Sequence, residues 1–399
     1  MQITDQQTNQ PRLSRSSHIL FIVATLLYWC SMYTYVPILS PYLESIDFSY
    51  AMIGVVLGSY GLMQLLIRFP IGLSSDWLRR RKPFMALGFV TSAVGCLMFV
   101  LFQDIIGVTA ARAMTGIAAS TWVAFSVLYA SYFTAESATK AMGAISVVTV
   151  SGQLIGMGIS GIAADLWGWS STFWLGAGCA LLGGSLIFFV FEPKGGTSRA
   201  PIRFKDLASV TKSRVLLRVS TLSVLAHGVL FITMFGFTPS YAVSIGANKL
   251  ELSLLVFAFM IPHAAAAWLS GGKLAPRYGP WRTAITGFII SGLCTLSIPF
   301  VPMLWLLYVT QALNGFAQGL HMPLLMGLSI QSVQPDKRAT AMGFYQAVYS
   351  AGMFSGPFVA GWLNESFGLR GGFVFGFILA AIAAILIKRW GLSSESMEN

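Results

Sequence analysis

The chain of 399 residues is 55% apolar and only 10% charged, with a mean hydropathy of +0.71 and a net charge of +11. A soluble domain carries about 25% charged residues and has too little interior to hide this much apolar surface. The composition excludes a soluble enzyme, a secreted disulfide scaffold and a nucleic-acid-binding domain, and it predicts an all-α membrane protein. The cysteines Cys30, Cys96, Cys179 and Cys294 fall in apolar runs without paired spacing, so neither a disulfide nor a metal or other cofactor is expected.

A bilayer core needs about 20 apolar residues per helix. After a polar N-terminal tail, twelve such segments follow in chain order: 19–42, 51–74, 84–102, 106–129, 142–164, 171–191, 216–240, 250–272, 283–300, 303–329, 340–363 and 371–387. The first is too long for a signal peptide and has no cleavage site, so it reads as a retained span. With the N-terminus inside, 21 of the 25 basic residues fall on the inner side, among them Arg79 to Lys82, Lys194, Arg199, Arg277 and Lys388. Only Lys249 and Arg370 fall outside, while Arg68 and Arg112 lie within spans. By the positive-inside rule both termini are cytoplasmic, and the net charge is a topology signal facing anionic lipid.

The stretch 192–215 is the only long polar connection between spans, and it divides the chain into six-helix halves at 1–191 and 216–399. The halves repeat at an offset of 200. Ala141-Met142-Gly143 recurs as Ala341-Met342-Gly343, and Gly152, Gly156, Gly161 and Phe173 recur as Gly352, Gly356, Gly361 and Phe373. Two halves of the same orientation are parallel repeats about an axis along the membrane normal. Such a construction places a substrate site near mid-membrane between them.

Three local patterns add to this architecture. The loop after the second span reads Gly72-Leu-Ser-Ser-Asp76-Trp-Leu-Arg79-Arg80-Arg81-Lys82, the fourth span holds Arg112-Ala-Met-Thr-Gly116, and the fifth holds Gly152, Gly156, Gly158 and Gly161. Together they resemble the major facilitator superfamily and, in the last two, its drug–proton antiporters. The resemblance implies alternating access, a cavity lined by helices 1, 4, 7 and 10, and a latch in which Asp76 accepts from a facing helix N-terminus to hold the inner side closed. Gly72 would let the second helix approach a neighbour, and small residues in helix 5 are how membrane helices pack.

An ionisable group inside a membrane is a functional hypothesis by default. None of the fourteen acids lies in mid-span; the embedded groups are Arg68, Arg112, His227, His263 and His321. In helix 10, Gln311, Asn314, Gln318 and His321 share one face, which asks for water or ligand. Arg112, Thr115 and Trp122 form a face of helix 4, His227, Phe231, Met234 and Thr238 one of helix 7, and Tyr28, Met32 and Tyr35 one of helix 1. Tyr60, Gln64 and Arg68 stack along helix 2. Tyr28 and Tyr35 also read as packing residues, His263 as a local partner for the carbonyl freed by Pro262, and Arg68 as a side chain able to snorkel to the inner surface.

Guanidinium groups without embedded acids favour an anionic substrate, and proton coupling would then fall to His321, His227 or His263. No metalloprotease motif, paired acids, Ser/His/Asp set or nucleotide loop is present, so the chain is not read as an enzyme or an ATP-driven pump. The expectation is a proton-coupled efflux antiporter for a small molecule, acting as a monomer in a bacterial inner membrane. Import, uniport or export of an anionic metabolite or metallophore stay open as alternatives.

Overall fold

The computed structural model describes residues 15–133, 135–193, 207, 209–331, 333–334 and 337–390. The N-terminal tail, residues 194–206 and 208 of the central segment and the C-terminal tail lie outside the described residues. Among the described residues all regular structure is helical. We number the helices α1 (Arg15–Ser45), α2 (Tyr50–Leu78), α3 (Lys82–Leu101), α4 (Ile105–Ala130), α5 (Ala135–Trp167) and α6 (Ser170–Ile187). The second set is α7 (Arg214–Ser244), α8 (Lys249–Tyr278), α9 (Pro280–Phe300), α10 (Leu304–Gln331), α11 (Arg338–Phe367) and α12 (Leu369–Arg389).

Ten of these are long and apolar enough to cross a membrane. The two outside that set are α10 and α11, of 28 and 30 residues. Their length exceeds the ~30 Å bilayer core at 1.5 Å per residue, and what lowers their apolarity is buried polar side chains such as Gln311, Asn314, Gln318 and Asn364. Apolar side chains such as Val90, Leu181, Leu293, Leu313 and Ile385 are exposed on the outside of the bundle, where lipid would cover them. The protein is a multi-pass membrane protein.

The helix starts are set locally. Ser49 caps α2, Asp104 Oδ1 accepts from the Ile106 and Gly107 amides of α4 at 3.1 and 2.9 Å, and Asn248 with Glu251 forms a reciprocal capping box on α8. Each satisfies backbone donors that a helix terminus leaves open.

Packing follows the repeat. In the first set α1 meets α5 and α6, α2 meets α4, and α3 meets α4 and α6; in the second, α7 meets α11 and α12, α8 meets α10, and α9 meets α10 and α12. Between the sets α2 packs on α11 and, related by the same shift, α8 packs on α5. These seams are closest toward the face opposite the chain termini, called the distal face here. A Cβ on Gly361 would lie 2.6 Å from the Tyr50 carbonyl and 2.8 Å from Gly54 Cα, so backbone meets backbone at the α2–α11 crossing. The seams end in polar contacts: the Ala51 amide donates to Glu365 Oε2 at 3.2 Å, and Lys249 Nζ donates to the Ala164 carbonyl at 3.2 Å.

Candidate functional site

Two helices are broken at the same level, and the breaks face each other. In α1 a 3-10 turn at Val36–Ile38 carries Pro37. In α7 a π-turn covers Thr233–Phe237, and Gly236 is non-helical at φ −127° and ψ −105°. A Cβ on Gly236 would meet the Phe231 carbonyl at 2.2 Å, so the turn needs glycine. Ser40 Oγ of α1 donates to the Gly236 carbonyl at 2.6 Å and ties the two breaks together. Discontinuous helices of this kind build binding sites in membrane transporters, because the freed backbone lines a cavity.

Below the breaks lies a small void of about 10 Å³, room for one water, lined by Met32, Tyr33, Val36, Tyr60, Arg112, Phe231 and Phe235. Arg112 is 3% exposed. Its Nη1 donates to the Tyr35 hydroxyl at 3.2 Å, and its guanidinium lies 4.4 Å from the Tyr60 ring centre and 5.7 Å from that of Tyr35. Its Nε has no hydrogen-bond partner among the described residues. Burying a cation costs several kcal/mol, and desolvated ring faces return about 2 kcal/mol each, so the group is only partly compensated.

Arg68 lies at the terminal-side end of the α2–α11 seam. It donates to Gln64 Oε1 and, across to the other set of helices, to the Tyr349 hydroxyl at 3.1 Å. At 7% exposure it does not snorkel. Tyr349 in turn stacks on His227 with ring centres 4.0 Å apart and planes 1° apart, and His227 Nδ1 donates to the Ser223 carbonyl at 2.8 Å. Gln64 Nε2 reaches Met353 Sδ at 3.7 Å. Tyr33, Trp122, Phe235, Met260, Met322 and Tyr349 are partly exposed and pack against an apolar cluster shared by both sets of helices. Trp122 follows a turn at Thr121 within α4, meets Trp29 edge-on and stacks on Phe125.

Several expected site residues are placed elsewhere. Tyr28 is fully buried inside the first bundle, where it donates to the Ala118 carbonyl and packs 4.3 Å from the Phe125 ring. Tyr35 is buried between Phe99 and Phe173 and reaches the site only through its bond to Arg112. The helix-10 stripe does not line the void. Gln311, Asn314, Gln318 and His321 are at most 1% exposed, and two of them meet α9: Ser291 Oγ donates to Asn314 Oδ1 at 2.8 Å, and His321 stacks on Phe288 at 4.1 Å, while both polar atoms of Gln311 have no partner among the described residues. A polar stripe on a membrane helix was satisfied in part by a neighbouring helix rather than by a cavity. His263 stacks on Phe259 at 5.8 Å and is half-buried on α8.

The loop after α2 also differs from expectation. Gly72 makes no close helix approach, since its nearest neighbour across a Cβ would be Val123 at 3.9 Å. Asp76 is held within its own half: Arg81 Nη2 lies 2.6 Å from Asp76 Oδ1, and Arg81 also donates to Ser75 Oγ and, through its backbone amide, to Glu192. Lys82 Nζ donates to the Phe188 carbonyl at 3.0 Å, and Arg79 ends α2 in the left-handed region at φ 51°. Arg80 has no described role in this cluster. Both partners of the Asp76–Arg81 pair are at most 10% exposed, so removing the acid leaves a buried cation. Asp76→Asn is expected to lower Tm by several degrees and to cut transport at least tenfold; unchanged Tm and flux in reconstituted protein would remove the loop from both roles.

The partners that pattern reading missed are Tyr33, Phe235, Tyr349 and Met353. Aromatic and Met side chains in a membrane helix carry no periodic signal that separates a cavity wall from packing.

The Major Facilitator Superfamily model matches residues 21–250 and again 219–397, so each six-helix set is covered in turn. The chain belongs to the Major Facilitator Superfamily. The MFS-type transporter YceJ of Bacillus subtilis is 24% identical over 361 residues, covering 87% of this chain and 88% of YceJ. The multidrug resistance protein MdtG of Citrobacter koseri is 24% identical over 297 residues, 73% of each chain. Among solved structures, a bacterial homologue of the human lysosomal transporter Spinster, in an inward-facing and unoccupied conformation, matches with a TM-score of 0.80 at 15% identity, over 94% of this chain and 97% of that one. The last likeness is one of fold. As a superfamily member this protein is a transporter of small molecules.

Proposed function

We propose that the chain is a proton-coupled exporter of a bacterial inner membrane, in which halves 1–191 and 216–399, joined by the cytoplasmic segment 192–215, rock about the cleft at Arg112. In this reading all twelve helices span the bilayer, both termini are cytoplasmic, and the protein works as a monomer. The observation that carries it is the asymmetry of the inter-half contacts. The described polar contacts between the sets run from Glu365 and Lys249 at the distal face to the Arg68–Tyr349 bond. The cleft therefore faces the terminal side, which the distribution of basic residues makes the cytoplasm. The likeness to MdtG supports efflux over uptake.

Everted membrane vesicles acidified by respiration test the coupling. Adding a transported compound is expected to release quenching of an acridine pH dye only in vesicles that contain the protein. If no compound in a panel of anionic, cationic and neutral amphiphiles does so, the antiport reading fails.

A further inference from the structure

We infer that the substrate is an organic anion with an aromatic or branched apolar body, held with its oxyanion at Arg112 and its body along the cleft toward Trp122 and Met322. The inference rests on the cleft being the transport pathway, but not on the direction or coupling of transport.

Three observations converge. First, Arg112 is only 3% exposed, lines the void beside Tyr60 and Phe231, and has an Nε without a hydrogen-bond partner among the described residues. Second, the charge is not neutralised by the protein. Among the described residues the ion pair found is Arg81–Asp76, and the described carboxylates nearest the seams, Glu44, Asp165, Glu251 and Glu365, sit at the distal helix ends. Arg68 adds a second buried guanidinium with a free Nε at the other end of the α2–α11 seam. A site for an organic cation would need the opposite sign. Third, the rest of the void's lining is apolar and aromatic, with Tyr33, Phe231 and Phe235, and Trp122, Met260 and Met322 stand partly exposed against the same apolar cluster. Aromatic faces and Met side chains accept a flat or branched body, and a guanidinium fork fixes an oxyanion at one end.

The void beside Arg112 has room for about one water. The oxyanion therefore sits in that space at Arg112, and the apolar body extends from it along the partly exposed aromatic and Met side chains. Carboxylate, phosphate and sulfonate groups share this chemistry, whether carried by a soluble compound or by a lipid headgroup.

The test uses purified full-length protein in detergent, with no proton gradient, and three probes of matched size: 2-naphthalenesulfonate, 2-naphthylmethyl-trimethylammonium and 2-naphthalenemethanol. Isothermal titration is expected to give at least tenfold tighter binding of the sulfonate than of either other probe. Arg112→Gln is expected to remove that preference, and Arg112→Lys to keep part of it. Because Arg112→Gln could unfold, each variant's Tm without probe is measured first, and Arg68→Gln, at the far end of the seam, provides a second variant expected to weaken sulfonate binding severalfold. Displacement of the sulfonate by phosphatidylglycerol would assign the site to a lipid headgroup, and no displacement to a soluble anion. Equal or tighter binding of the cation, no binding of the sulfonate, or a folded Arg112→Gln that keeps the preference would each overturn the inference. Failure of the vesicle assay with retained sulfonate preference would instead count against antiport alone.

Discussion

Gly361→Val is expected to abolish transport while leaving a folded protein trapped with its distal face open. At Gly361 a Cβ alone would sit 2.6 Å from the Tyr50 carbonyl and 2.8 Å from Gly54 Cα, and both obstacles are backbone. Valine adds two further methyl groups, and no rotamer change on α2 can make room. Overpacking of this kind costs about 1–3 kcal/mol where side chains can shift, and more where backbone must move. The strain exists only while the seam is closed, so it acts on the equilibrium between conformations rather than on the fold of either half. A penalty of roughly 3 kcal/mol would change that equilibrium more than a hundredfold. Spin labels at the distal ends of α2 and α11 would report the change as longer distances, with flux reduced at least a hundredfold. The repeat supplies a control: Gly161 meets the Lys249 carbonyl at 2.5 Å across the α5–α8 seam, so Gly161→Val should act in the same direction. Wild-type distances with wild-type flux in Gly361→Val would show that the closed seam is not a working state.

The fold was legible in the sequence where the signal is periodic and summed over many residues. Among the described residues, helices α1–α12 begin and end within about seven residues of the apolar segments, and the repeat at 200 reappears as the equivalent seams α2–α11 and α5–α8. The site was legible only in part. Arg112, Arg68, Gln64, Phe231 and Trp122 could be picked out because charge and bulk in a membrane helix demand an explanation. The helix-10 stripe shows the limit of that argument. Its spacing correctly put Gln311, Asn314, Gln318 and His321 on one face, but spacing does not say which neighbour that face meets. Ser291 and Phe288 of α9 meet it. The breaks at Val36–Ile38 and Thr233–Phe237 were not foreseen either, since a single Pro37 or Gly236 in an apolar run is compatible with an unbroken helix.

His227→Gln is expected to leave substrate binding within a factor of about three and to remove the response of transport to a pH gradient. With no carboxylate in mid-span, a proton that drives the cycle must sit on a group able to titrate between pH 5 and 8, which leaves the embedded histidines. His321 is sealed against Phe288 and Gly287 inside the second bundle, and His263 packs on Phe259 away from the void. His227 differs from both because its ring lies flat on Tyr349, whose hydroxyl accepts from Arg68 of the other half. The groups around it are therefore Ser223 and Tyr345 from its own half and Arg68 from across the seam, with no acid among them. A proton on His227 places a second positive charge within about 10 Å of Arg68, because the Tyr349 ring between them lies 4.0 Å from the His227 ring and 5.8 Å from the Arg68 guanidinium. At an effective dielectric of about 20 the repulsion is about 1.7 kcal/mol, enough to shift the seam more than tenfold toward opening. Glutamine keeps a donor for the Ser223 carbonyl and gives up only the titration. The measurement is flux of a transported probe in proteoliposomes with and without an imposed gradient, for His227→Gln and, separately, His321→Gln. Full ΔpH dependence in His227→Gln would move the coupling group away from this seam, toward the distal carboxylates Glu44 and Glu365 or to a proton carried on the substrate itself.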